Sequence, residues 1–122
     1  VNGPRPERLL TQGEVEREIM RLSDELEDET HRYADVGELV VNAELDYKGA
    51  HAASIISAAA NSDGTKRTVA ERDAWATTET IDLMRTWRIH EARQEATKQS
   101  LLSLRNRLDA LRTLAANIRA ST

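Results

Sequence analysis

Apolar residues recur along the first half of the chain in alternating steps of four and three. Val15, Ile19, Leu22, Leu26, Glu29, Tyr33, Val36, Val40, Ala43, Tyr47, Ala50 and Ser54 keep that spacing without a break, and only Glu29 is charged. A sustained period of 3.5 residues marks the seam of one helix against another. A strand, with its period of two, cannot produce it. The second half repeats the spacing at its far end, through Leu101, Leu104, Leu108, Leu111, Ala115 and Ile118. Its middle carries a less regular stripe, read through Ala76, Leu83, Trp87, Ala92 and Ala96.

Turn signals are sparse. Pro4 and Pro6 lie near the start, and one later cluster, Asn61-Ser62-Asp63-Gly64-Thr65, divides the chain almost in half. Each half opens on a Thr with Glu three positions on: Thr11-Gln12-Gly13-Glu14 and Thr68-Val69-Ala70-Glu71. In this capping box the Thr oxygen accepts a backbone N–H of the first turn and the Glu reaches back to the cap. Residues 1–10 are expected to be a flexible lead-in, with 1–4 set aside as foreign to the fold. The helical hairpin is expected over 11–122: a helix from about 12 to 59, a turn over about 60–67, and a helix from about 68 to 120. Gly13, Gly37 and Gly49 fall inside helical pattern, each at a cost of about 1 kcal/mol relative to Ala.

A short turn forces the two helices antiparallel. With the turn centred near residue 64, Val15 is expected to face the region of Thr113, Leu22 to face Asn106 and Leu26 to face Leu102. The Leu-rich stretches of the two halves then meet at the open end. The expected fold is all-α: a long antiparallel two-helix coiled-coil hairpin. Its seam is formed by Val15, Ile19, Leu22, Leu26, Tyr33, Val36 and Val40 with Leu101, Leu104, Leu108, Leu111 and Ile118.

Charge agrees with this pairing. Residues 12–60 carry 12 acids and 4 bases, and residues 68–122 carry 7 acids and 9 bases. The acidic run Asp24, Glu25, Glu27, Asp28, Glu29 is expected beside Lys98, Arg105 and Arg107. Composition points the same way: 17 Ala, 13 Leu, 2 Pro and no Phe favour helix over sheet. The net charge of −4 gives no general attraction to nucleic acid. Absence of Cys excludes thiolate chemistry and fits a reducing compartment, so a cytoplasmic setting is expected. No apolar run approaches the ~18 residues of a membrane span.

One seam cannot bury every large apolar residue. Leu39, Leu45, Ile55, Ile56, Ile89, Leu102 and Leu114 sit off it, and the adjacent pairs Val40-Val41 and Leu101-Leu102 must each turn one member elsewhere. This surplus predicts a homo-oligomer, with a dimer of hairpins closing into a four-helix bundle as its simplest form. Leu102 and Leu114 are the candidates for that second interface.

Candidate chemistry is thin. Glu27, His31 and Asp35 share one helix face but read as a solvated polar surface. Glu25-x-x-Asp28 resembles half of the acidic pattern of helical nucleotide pyrophosphohydrolases, whose Mg²⁺ needs a facing acidic pair. Glu91 and Glu95 lie some ten residues further along the hairpin, and Leu101, Leu102 and Ser103 are expected across the seam instead. No nucleophile elbow or phosphate loop is present. No catalytic residue, cofactor or metal is therefore expected. Arg105, Arg107, Arg112 and Arg119 make the last stretch basic, and they are the candidate phosphate contacts of an alternative nucleic-acid role. Trp75 and Trp87 are expected in core packing near the turn, or as an anchor for a partner.

Four segments, Arg17-Glu18-Ile19-Met20-Arg21-Leu22-Ser23-Asp24-Glu25-Leu26, Asp46-Tyr47-Lys48, Thr68-Val69-Ala70-Glu71-Arg72 and Arg107-Leu108-Asp109-Ala110-Leu111-Arg112-Thr113-Leu114, are spread over most of the chain. In them it resembles small helical proteins encoded by phages of actinobacteria, often near replication and recombination genes. The resemblance implies a phage accessory protein acting in the host cytoplasm, and it carries over no site residues. The function expected is a non-enzymatic interaction or adaptor module with an unknown protein partner. The alternative is a replication or recombination accessory that binds nucleic acid through the basic C-terminal helix.

Overall fold

A computed structural model describes residues 10–58 and 64–121. These residues are almost entirely helical: α1 spans Gln12–Ser57, α2 Val69–Glu79 and α3 Ile81–Ala120. The lead-in before Leu10, the expected helix end at 59 and the part of the expected turn over 60–63 lie outside the described residues. The chain divides into two compact units. One joins residues up to His31 with those from Gln99 onward, and the other is Arg32–Lys98.

Both expected start signals hold helix ends. The Glu14 N–H donates to the Thr11 hydroxyl at 3.2 Å. At α2 the capping box is complete, with the Glu71 N–H on the Thr68 hydroxyl at 3.1 Å and the Thr68 N–H on the Glu71 carboxylate at 3.4 Å. Gly64 has φ +84°, the left-handed conformation that glycine adopts without steric cost.

The 4-3 stripe of α1 is the face turned inward. Val15, Leu22, Glu29, Val36, Val40 and Ala43 are buried, and Ile19, Leu26, Tyr33, Tyr47, Ala50 and Ser54 are half-buried. Glu29, the one charged member, is only 9% exposed. In the first unit Leu22, Leu104 and Leu108 form a buried cluster flanked by Ile19, Leu26 and Leu111. In the second, Tyr47 stacks on Trp87 with ring centroids 5.5 Å apart, and a Cβ at Gly37 would come within 3.3 Å of the Gln94 amide. Within this second unit, rising numbers on α1 meet falling numbers on α3, as antiparallel packing requires.

Three expectations need correction. The expected helix over 68–120 is two helices. Thr80 leaves helical geometry, with φ −114° and ψ 13°. Its N–H and its hydroxyl both donate to the Ala76 carbonyl, at 3.0 and 2.6 Å. Back-bonding by a Thr side chain bends helices, but Thr30, Thr86, Thr97 and Thr113 make the same bond inside unbroken helix, so the break lies in the backbone dihedrals of Thr80.

The stripe through Leu83, Ala92 and Ala96 is also displaced, since all three are exposed. The inward face of α3 runs instead through Met84, Trp87, Glu91, Gln94 and Thr97 to Leu101. Trp87 sets this face, and continuing from it in steps of three and four leads over polar residues. Two successive steps of three, 91–94–97, overwind the pattern locally.

Lastly, Leu22 does not face Asn106, nor Leu26 Leu102. Both α3 residues are exposed, and Leu22 packs with Leu104 and Leu108. An inward residue of one helix sits between two of the other, so pairing by a fixed sum of residue numbers lands on the wrong side chain.

Candidate interaction surfaces

Several charged side chains among the described residues pair along single helices. Arg21 bridges Glu18 and Glu25, with its Nε 3.0 Å from Glu18 and its terminal nitrogen 3.1 Å from Glu25. Glu44–Lys48, Asp82–Arg85, Arg88–Glu91 and Asp109–Arg112 are likewise three or four residues apart. Such exposed pairs are screened by water and add little to stability. The hydrogen bond from Arg21 holds the Glu18 carboxyl below the usual carboxylate value, with help from the nearby charge of Arg107 on α3. The same bond moves the Arg21 guanidinium in the opposite direction, upward.

A carboxylate held low stabilises the fold above the ordinary carboxylate range, and that contribution is lost as pH falls through the lowered value. NMR titration should therefore place Glu18 below an ordinary Glu, and Arg21→Gln should bring it back up. An unmoved midpoint in that variant would contradict the pairing.

The basic residues do not converge. Arg105, Arg112 and Arg119 follow one another at intervals of seven, nearly two helical turns, and so share one flank of α3. Arg107 lies two residues on from Arg105, about 200° around the helix, on the flank of Glu18. Arg112 has Asp109 3.7 Å away. The expected line of acids beside these bases is also reduced, because Glu29 turns into the seam while Asp24, Glu27 and Asp28 are exposed.

The two Trp residues have different surroundings. Trp87 is half-buried between Tyr47 and Arg88, whose guanidinium carbon sits 4.1 Å from the ring centroid. Trp75 is exposed, with Arg67 4.5 Å from its centroid. Beside Trp87, on the same two helices, a groove of about 150 Å³ is lined by Leu39, Asn42, Asp46, Leu83, Thr86 and His90.

Glu27, His31 and Asp35 are all exposed. Among the described residues no three His, Cys, Asp or Glu side chains are grouped to hold a metal. Glu91 is half-buried with Arg88 2.7 Å away, and Glu95 is exposed, so the two do not form an open acidic pair. No helix among the described residues is long and apolar enough to cross a membrane.

Leu102 and Leu114 are 42% and 37% exposed. Twelve residues separate them, which is about 120° around the helix, so they do not share a face. Other exposed large aliphatic side chains stand on the outer side of α1. Val41, Leu45 and Ile56 are 55%, 63% and 77% exposed and point away from the seam. The signal was in the sequence: these positions fall between the seam residues of the 4-3 pattern, where a solvated helix carries polar side chains.

Comparison with protein-family models, with curated proteins and with solved structures finds no match to this chain.

Proposed function

We propose that the chain is a non-enzymatic helical interaction module that works by pairing with other protein chains, a second copy of itself first among them. The observation that supports this most is the outward display of large aliphatic side chains on α1, above all Leu45 and Ile56. Single exposed apolar side chains are common, but several large ones on one side of a helix are what a protein partner covers. A dimer closing into a four-helix bundle is the form that this pairing would take. The sequence resemblance adds a setting: an accessory protein of a phage, at work in the host cytoplasm. To test the pairing, an affinity-tagged copy is mixed with an untagged copy. Co-purification of the untagged chain is expected, and its absence at high micromolar concentration would refute self-pairing.

The second reading, a nucleic-acid accessory, draws on the shared flank of Arg105, Arg112 and Arg119. Asp109 beside Arg112, and a net charge of −4, weigh against it. No binding to single- or double-stranded DNA is expected at physiological salt. Binding whose log affinity falls with log salt by about 0.7–0.9 for each phosphate contact, lost in Arg105→Glu/Arg112→Glu, would favour this second reading.

A further inference from the structure

The two stretches of α3 pack differently. In its later part Leu101, Leu104, Leu108 and Ala115 are buried. Over 81–98 no residue is buried, and the inward positions are only half-buried. The facing part of α1 is apolar, with Val36, Val40 and Ala43 buried. Against it α3 sets Gln94 beside Gly37 and Trp87 on Tyr47, with Glu91 and Thr97 also turned inward. Polar side chains laid on an apolar stripe gain little from leaving water.

Hydrogen bonding weakens the same stretch. The Trp87 Nε1 and His90 Nδ1 atoms are buried without a partner. Each forgoes a bond that water supplies once the helix lifts, which favours an open form. Among the described residues no such side-chain atom lies over 101–120. The stretch also has marked ends. Thr80, with φ −114° and ψ 13°, stands outside helical geometry between α2 and α3, the kind of element-terminal position that absorbs a change of backbone angle. At the other end Leu101 begins the buried run.

We infer that residues 81–98 of α3 form a strap that lifts off α1 by itself, hinged at Thr80, while Leu22, Leu104 and Leu108 stay packed. Sparse apolar burial and unmet hydrogen bonds are the marks of a segment of low local stability. The stack of Trp87 on Tyr47 is what holds the strap down. Lifting uncovers Val36, Val40 and Ala43, an apolar stripe of α1 that the closed chain hides from other helices. The strap is built into the single chain and stands whether or not copies pair.

Amide hydrogen exchange of the full chain, resolved by NMR, tests this. Helices in proteins owe most of their stability to packing, so a lifted strap loses its helical hydrogen bonds and its amides exchange. Residues 94–98 and 103–107 lie equally far from the two ends of α3, so fraying from the ends treats them alike. Corrected for intrinsic rates, exchange should be at least ~10-fold faster over 94–98, and it should respond less to low denaturant, because a local opening exposes little surface. Leu111→Ala weakens the flank of the leucine cluster. It should speed 103–107 and leave 94–98 nearly unchanged, since the strap opens without disturbing that cluster. Gln94→Leu sets an aliphatic side chain beside Gly37 and should slow exchange over 94–98. Equal protection of the two windows in the wild type overturns the strap, and so does a Leu111→Ala protein in which both windows speed up alike.

Discussion

Leu108→Asp is expected to destabilise the protein by several kcal/mol, a large share of the 5–15 kcal/mol that holds an ordinary domain folded. Leu108 is 3% exposed and packs against Leu22 and Leu104. Removing its side chain alone costs about 2–5 kcal/mol in transfer and cavity energy. A carboxylate left there has no cation in the cluster, so it must bury a charge, take up a proton or force the helices apart. Leu114→Asp, at an exposed position of the same helix, is expected to stay within about 0.5 kcal/mol. Thermal melting followed by circular dichroism measures both. Equal melting for the two variants would mean that the inward face of α3 is misassigned.

The second large effect separates the two Trp residues. Trp87→Ala should cost about 3 kcal/mol, because the ring is half-buried and stacked on Tyr47 at 5.5 Å. Trp75→Ala should cost at most about 1 kcal/mol, since its ring is exposed and its contact with Arg67 is a surface cation–π pair. Denaturant unfolding of the two variants compares them. The Trp75→Ala protein, which retains Trp87, should also emit at shorter wavelength than the Trp87→Ala protein. A reversed order in stability would contradict the inward stripe that runs through Trp87, Gln94 and Thr97.

The contrast between the halves explains what was legible in the sequence. In α1 the inward positions hold aliphatic and aromatic residues at regular spacing from Val15 to Tyr47, so hydrophobicity alone traced the face, with Glu29 kept in register by its neighbours. Leu101 to Ile118 was legible for the same reason. Between Thr80 and Thr97 the inward residues include Glu91, Gln94 and Thr97, while the small apolar Ala92 and Ala96 face water. A reading that follows apolar residues is drawn to the alanines, because alanine is a good helix former on either face. The break at Thr80 had a local signal in Thr77-Thr78-Glu79-Thr80. Thr78 and Thr80 both bond back to the carbonyl four residues earlier, but propensity alone does not single out which Thr leaves the helix.

The candidate surface was legible only in part. Leu45 and Ile56 stand off the seam in the sequence, and so do Leu102 and Leu114. Which of them share a face depends on the angle each position subtends on its helix. For Leu102 and Leu114 that angle is too wide. Val41, Leu45 and Ile56 form one stripe because the seam of α1 holds its register past them.

Light scattering of the purified chain over a wide concentration range decides whether the chain pairs with itself. The mass is expected to rise from near 13.7 kDa toward twice that value as concentration increases. A mass fixed at 13.7 kDa up to high micromolar concentration would contradict it.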